Sequence, residues 1–173
     1  MRSGAISFGF RERLMMVVTE VNGCRYCRSY HSAQSIKAGL SGDELRVLLA
    51  GQIPQDSPAE EFAALAYAQH WAETDAKPDR EAVRHLAETY RDEKAAMIHA
   101  ILRMIRAGNL MGNTLDYFLN RVSFGRLGVT ARDRRARKLR PAGAWARQAA
   151  RAGRPSPVNS DVVGPPCPPP ARR

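Results

Sequence analysis

Across residues 8–130 the apolar side chains return at three- and four-residue steps, and nowhere do they settle into the two-residue alternation of a strand. Such a pattern must bury stripes of helix against one another. Phe10, Leu14, Val17, Val18 and Val21 form one stripe, closed by Asn22-Gly23, a favourable helix stop. A second helix covers about residues 24–38 and ends at Gly39. Ser41-Gly42-Asp43-Glu44 is a capping box for a third, and Ser57-Pro58-Ala59-Glu60 offers a cap, a first-turn proline and a capping glutamate for a fourth, through Thr74. A fifth starts at Lys77-Pro78 or Asp79 and runs towards Tyr90. Residues 92–107 make a sixth with Gly108-Asn109 as its stop, and one more lies near residues 114–124. The expected fold class is all-α, a compact helical domain with no repeat of ~20–50 residues.

The 173 residues, 44% of them apolar, suffice for one domain with a core. The net charge of +10 would point to nucleic acid or an acidic membrane were it evenly spread. It is not: residues 131–173 hold 11 of the 27 Lys and Arg but only two acids, Asp133 and Asp161, so residues 1–130 are nearly neutral. The division expected is a helical domain over 1–130 and a basic, proline-rich, disordered tail over 131–173. Nucleic acid enters only through that tail, where Trp145 alone is available for stacking and Cys167 sits isolated among prolines. No apolar run approaches the ~18 residues of a membrane span, and the N-terminus lacks the apolar stretch of a secretory leader, so a cytoplasmic protein with no membrane partner is expected. Met15, Met16, Met97 and Met104 read as core filling. Residues 95–105 are apolar around much of the helix, which places them centrally or against another subunit.

The chemistry concentrates in EVNGCRYCRSYH, residues 20–31. In a reducing compartment a close cysteine pair is catalytic or metal-binding rather than a structural staple. With a turn at Asn22-Gly23, Cys24 opens the second helix, where unpaired N–H groups and the positive end of the helix dipole favour a thiolate. Cys27 lies one turn on and His31 a four-residue step beyond, so all three project from one broad face. Lowering a thiol from about 8.5 to about 6.5 raises its ionised fraction ~25-fold, but the accompanying loss of nucleophilicity leaves a gain of only a few-fold. Orientation and proton transfer must supply more. A carboxylate from the preceding helix serves that purpose. Glu12 lies ~15 Å back from the turn and His31 ~10 Å forward of Cys24, heights that nearly match in an antiparallel hairpin. Glu20 is level with the cysteines but about 80° round from Glu12, so only one of the two faces the pair, and Glu12 is preferred.

The spacing Glu12-x11-Cys24-x2-Cys27-x3-His31 resembles the alkylhydroperoxidase D motif of the carboxymuconolactone decarboxylase superfamily. The flanks FRERLMMVVTEVNGCRYC and HSAQSIKAGLSGDEL, and further on FAALAYAQHWAE and NLMGNTLDYFLNR, are similar too, so that the resemblance covers roughly residues 8–125. It implies an all-helical fold that assembles into homo-oligomers, with thiol peroxidase or disulfide reductase activity and no cofactor. By the same resemblance Cys27 attacks a hydroperoxide, His31 is its general base, Glu12 relays protons to His31, and Cys24 closes a Cys24–Cys27 disulfide on the sulfenic acid. A thiol or dithiol donor, a thioredoxin-like protein or a lipoyl group, then reopens it. Tyr26 stands where alkylhydroperoxidase D has a histidine, and few residues precede the motif helix. The decarboxylase branch generally lacks the cysteine pair, which disfavours lactone decarboxylation.

Two other readings stay open. Zinc would take Cys24, Cys27 and His31 plus a fourth ligand from His70, His85, His99, Cys167 or water, none at a telling spacing. A non-catalytic helical oligomer would use the dithiol as a redox sensor and its tail for nucleic acid. A c-type haem is excluded because Arg28 follows Cys27.

Overall fold

The computed structural model describes residues 6–128. The chain order is α1 (Phe8–Asn22), α2 (Arg25–Lys37), α3 (Gly42–Leu49), α4 (Ala59–Glu73), α5 (Arg80–Thr89) and α6 (Asp92–Val122), with no strand among the described residues. The all-α class holds. The tail 131–173, with Trp145 and Cys167, lies outside the described residues. Among the described residues no helix is long and apolar enough to cross a membrane.

Helix α1 is the axis of the fold. Its Ser7 hydroxyl accepts from the Phe10 amide, Gly23 ends it in the left-handed conformation (φ 69°), and α2, α3, α4 and α6 all pack against it. Phe10, Leu14, Met15, Met16, Val17 and Val18 are buried around most of its circumference, together with Glu12 and Thr19. Large apolar side chains buried this way contribute about 1.5–3 kcal/mol each, which lets one helix carry a carboxylate into the interior. Arg13 joins three helices by pairing with Glu44 of α3 and Glu61 of α4. Ser41 and Asp79 cap α3 and α5 by accepting from the Glu44 and Ala82 amides.

Three expectations need correction. Gly108-Asn109 does not stop a helix: α6 runs unbroken for 31 residues. Gly108 packs against a cysteine of α2, and Asn109, fully buried, is bonded by its side chain to α1, so both residues serve packing rather than termination. Met104 is not core but 57% exposed, and Met97 is half-buried. The apolar character of α6 divides instead into a buried row, Ala95, Ile98, Leu102 and Ile105, and an outward row, Met104, Met111, Leu115, Phe118 and Val122. Finally, Pro58 rather than Ser57 takes the cap position of α4, and no side chain bonds there.

Candidate active site

The cysteines mark the join of α1 and α2. Because Gly23 turns the chain sharply, Cys24 becomes the N-cap of α2, and its Sγ accepts from the Cys27 amide at 3.4 Å. Asn22 is fixed on the other side of the turn. Its Nδ2 donates to Asn109 Oδ1 at 3.1 Å, Asn109 Nδ2 donates to Thr19 Oγ1 at 3.1 Å, and Asn113 Nδ2 donates to the Asn22 carbonyl at 3.0 Å. These side-chain bonds satisfy polar groups that burial would otherwise leave unpaired, and they pin the cysteine turn to α6.

Both cysteines are free thiols in different surroundings: Cys24 is 1% exposed, Cys27 half-buried. Burial pushes the Cys24 thiol up to about 11, opposed by the Cys27 and Tyr26 amides and reinforced by hydrogen bonding with the Cys27 thiol. The thiolate expected at Cys24 from its place at the helix start is therefore overturned. The cap position is as anticipated, but the cost of desolvating a charge outweighs what the amides return. At pH 7 such a thiol stays protonated.

His31 lies one turn beyond Cys27 on α2, and its Nδ1 is 2.7 Å from Glu12 Oε2. Since an ionised carboxylate only accepts, Nδ1 carries the proton and Nε2 is left with a lone pair. Arg11 donates to the other oxygen, Glu12 Oε1, at 3.3 Å, so the buried carboxylate is held from both sides. Tyr30, 61% exposed, sets its ring edge-on to the imidazole at 5.1 Å. Glu20 turns elsewhere, to Arg28 Nε at 2.9 Å. Of the four residues singled out by spacing, Cys24 and Cys27 open α2, and Glu12 and His31 pair across the α1–α2 hairpin.

Helix α6 closes the site from beneath, which the motif did not reveal. A Cβ placed on Gly112 would lie 2.6 Å from Cys24 Sγ, and one on Gly108 would lie 3.8 Å from Cys27 Sγ. Two glycines four apart within a helical pattern were the available signal, since such spacing lets another element approach one face of a helix. The candidate zinc ligands stay scattered: His70 pairs with Asp79 at 3.0 Å, His99 meets the Tyr67 ring edge-on, and His85 is exposed. Among the described residues no group of three or more His, Cys, Asp or Glu is placed to hold a metal ion.

Among the described residues, fold and site together define an all-helical dithiol protein with a carboxylate–imidazole pair one turn further along α2 from Cys27. Residues 1–70 match the model described as the carboxymuconolactone decarboxylase family, in agreement with the resemblance read from the motif. The matched segment contains Glu12, Cys24, Cys27 and His31 and stops short of α5 and α6. No curated protein and no solved structure matches the chain.

Proposed function

We propose that this protein is a thiol-dependent peroxidase that reduces hydroperoxides through a Cys24/Cys27 redox cycle. The observation that carries the reading is the 2.7 Å contact between His31 Nδ1 and buried Glu12 Oε2, one helical turn from the accessible cysteine. The family matched over residues 1–70 includes alkylhydroperoxidases. Cys27 is the attacking thiol because it is the less buried of the two. His31 takes its proton at Nε2, Glu12 stabilises the resulting imidazolium, and that proton passes to the departing alkoxide. The peroxide O–O bond breaks, Cys27 becomes a sulfenic acid, and one equivalent of alcohol leaves. Cys24 then attacks the sulfenic sulfur, giving up its thiol proton to the departing hydroxide: the S–S bond forms and water is released. A dithiol donor returns two electrons and two protons.

The same reading places the protein in the cytoplasm as a homo-oligomer. The outward row of α6 supports the latter, since Met104, Met111, Leu115, Phe118 and Val122 recur at three-, four- and seven-residue steps and leave large apolar side chains exposed along one helix. The test of the chemistry is mass spectrometry after one equivalent of hydroperoxide. Loss of two hydrogens confined to the peptide carrying Cys24 and Cys27, absent in Cys27→Ser, is expected. A dithiol that survives peroxide unchanged would remove the proposal.

A further inference from the structure

Gly108, Gly112 and Asp116 stand four residues apart on α6 and form one row facing the first turn of α2. Each meets a different part of Cys24-Arg25-Tyr26-Cys27. The Gly108 position borders Cys27 Sγ, and the Gly112 position borders Cys24 Sγ and, at 3.4 Å, the Tyr26 ring. Asp116 Oδ1 accepts from the Tyr26 hydroxyl at 3.0 Å and pairs with Arg25 Nη2 at 2.8 Å. Arg25 closes the ring, donating to the Tyr26 oxygen at 2.9 Å with its guanidinium 4.8 Å over the Tyr26 ring. Asp116 is 2% exposed. A carboxylate that deep is costly unless paired, and its partners are the two residues between the cysteines.

We infer that Asp116 is a positioning residue for the dithiol: through Tyr26 and Arg25 it holds the intervening dipeptide against α6 and favours the closed disulfide over the open dithiol. The inference rests on the redox use of the pair proposed above, but not on peroxide being the oxidant. Two effects act in the same direction. A fixed Arg25-Tyr26 backbone keeps the sulfurs at high effective concentration, so that closure requires side-chain rotation rather than ordering of a turn. Asp116 also neutralises the Arg25 cation beside the motif. Without the acid, that cation is free to stabilise a thiolate and with it the reduced state.

The test equilibrates the full-length protein with glutathione buffers of graded ratio, traps free thiols and measures the disulfide fraction. In this exchange Cys24 and Cys27 lose two electrons and two protons, their S–S bond forms, and one glutathione disulfide is cleaved to two thiols. Asp116→Asn is expected to move the equilibrium about tenfold towards the dithiol, ~30 mV for a two-electron couple. Tyr26→Phe should shift it less in the same direction, and Asp116→Glu should restore most of the wild-type value. Urea unfolding of each variant separates this from a structural role, which would lower stability and leave the equilibrium constant in place. If Asp116→Asn does not fold, Tyr26→Phe, which removes the hydroxyl bonded to Asp116 and leaves both charges in place, carries the comparison. An equilibrium constant within twofold of wild type, or a shift towards the disulfide, overturns the inference. Wild-type protein that ignores peroxide while Asp116→Asn shifts the glutathione equilibrium would instead leave this inference standing and end the peroxidase reading.

Discussion

Alanine at Gly112 and alanine at Gly108 should change stability in opposite directions. The methyl at residue 112 would lie 2.6 Å from Cys24 Sγ, when an unstrained non-bonded contact is about 3.5–4.0 Å. The sulfur has to move by roughly 1 Å, and moving it loosens its 3.4 Å bond to the Cys27 amide. Overpacking of this kind costs about 1–3 kcal/mol, against a helix-propensity gain of about 1 kcal/mol for replacing glycine. The net expectation for Gly112→Ala is a loss of up to about 2 kcal/mol. At residue 108 the new methyl would sit 3.8 Å from Cys27 Sγ, an ordinary contact, and the propensity gain of about 1 kcal/mol should survive. Urea unfolding of the reduced proteins at one concentration, followed by circular dichroism, measures both. In a Cys24→Ala background the obstructing sulfur is gone, and Gly112→Ala should turn neutral or stabilising. Two alanines that shift stability alike, or a Cys24→Ala background that brings no relief, would show that α6 does not press on the dithiol.

Glu12→Gln removes the charge from the 2.7 Å bond to His31 while keeping its volume. Charge-assisted hydrogen bonds are worth about 1.5–3 kcal/mol, so single-turnover oxidation of the reduced protein by hydroperoxide should slow about ten- to a hundredfold, and an unchanged rate would detach Glu12 from the chemistry. In Cys27→Ser, alkylation of Cys24 should be slow at neutral pH and climb as pH rises towards about 11, whereas a plateau below pH 9 would contradict its burial. The sign for stability follows: the unfolded thiol, at an ordinary value near 9, ionises before the folded one, so the contribution from keeping Cys24 neutral is complete below pH 9. It is lost as pH rises from 9 to about 11, and a denaturation midpoint falling faster in wild type than in Cys24→Ala over that window would register it.

What could be read from the sequence was local or one turn away. The stop at Asn22-Gly23, the cap at Cys24 and the preference for Glu12 over Glu20 all follow from helical rise and rotation in a two-helix hairpin, and the structure has Glu12 on His31 and Glu20 on Arg28. The capping residues Ser41 and Asp79 were legible for the same reason, since their bonds span three residues. Ser57 was not, because the neighbouring Pro58 fits the extended cap position with φ −49° and ψ 132° and takes it over.

The misread features share one physical origin: each depends on a surface supplied from far along the chain. A dithiol at a helix start looks acidic when only the helix is considered, and the sign reverses once α6 lies over Cys24 and excludes water. The residue that allows this approach, Gly112, is 88 positions away, and in isolation Gly108 resembles a terminator because an exposed glycine would act as one. A half-buried glycine packed against sulfur does not. The difference in burial between the two thiols is thus not a property of the C-x-x-C sequence: α1 supplies the carboxylate that pairs with His31, α2 supplies the sulfurs, and α6 covers Cys24. Substitutions along the α6 row should therefore alter the chemistry of the pair while leaving every motif residue in place.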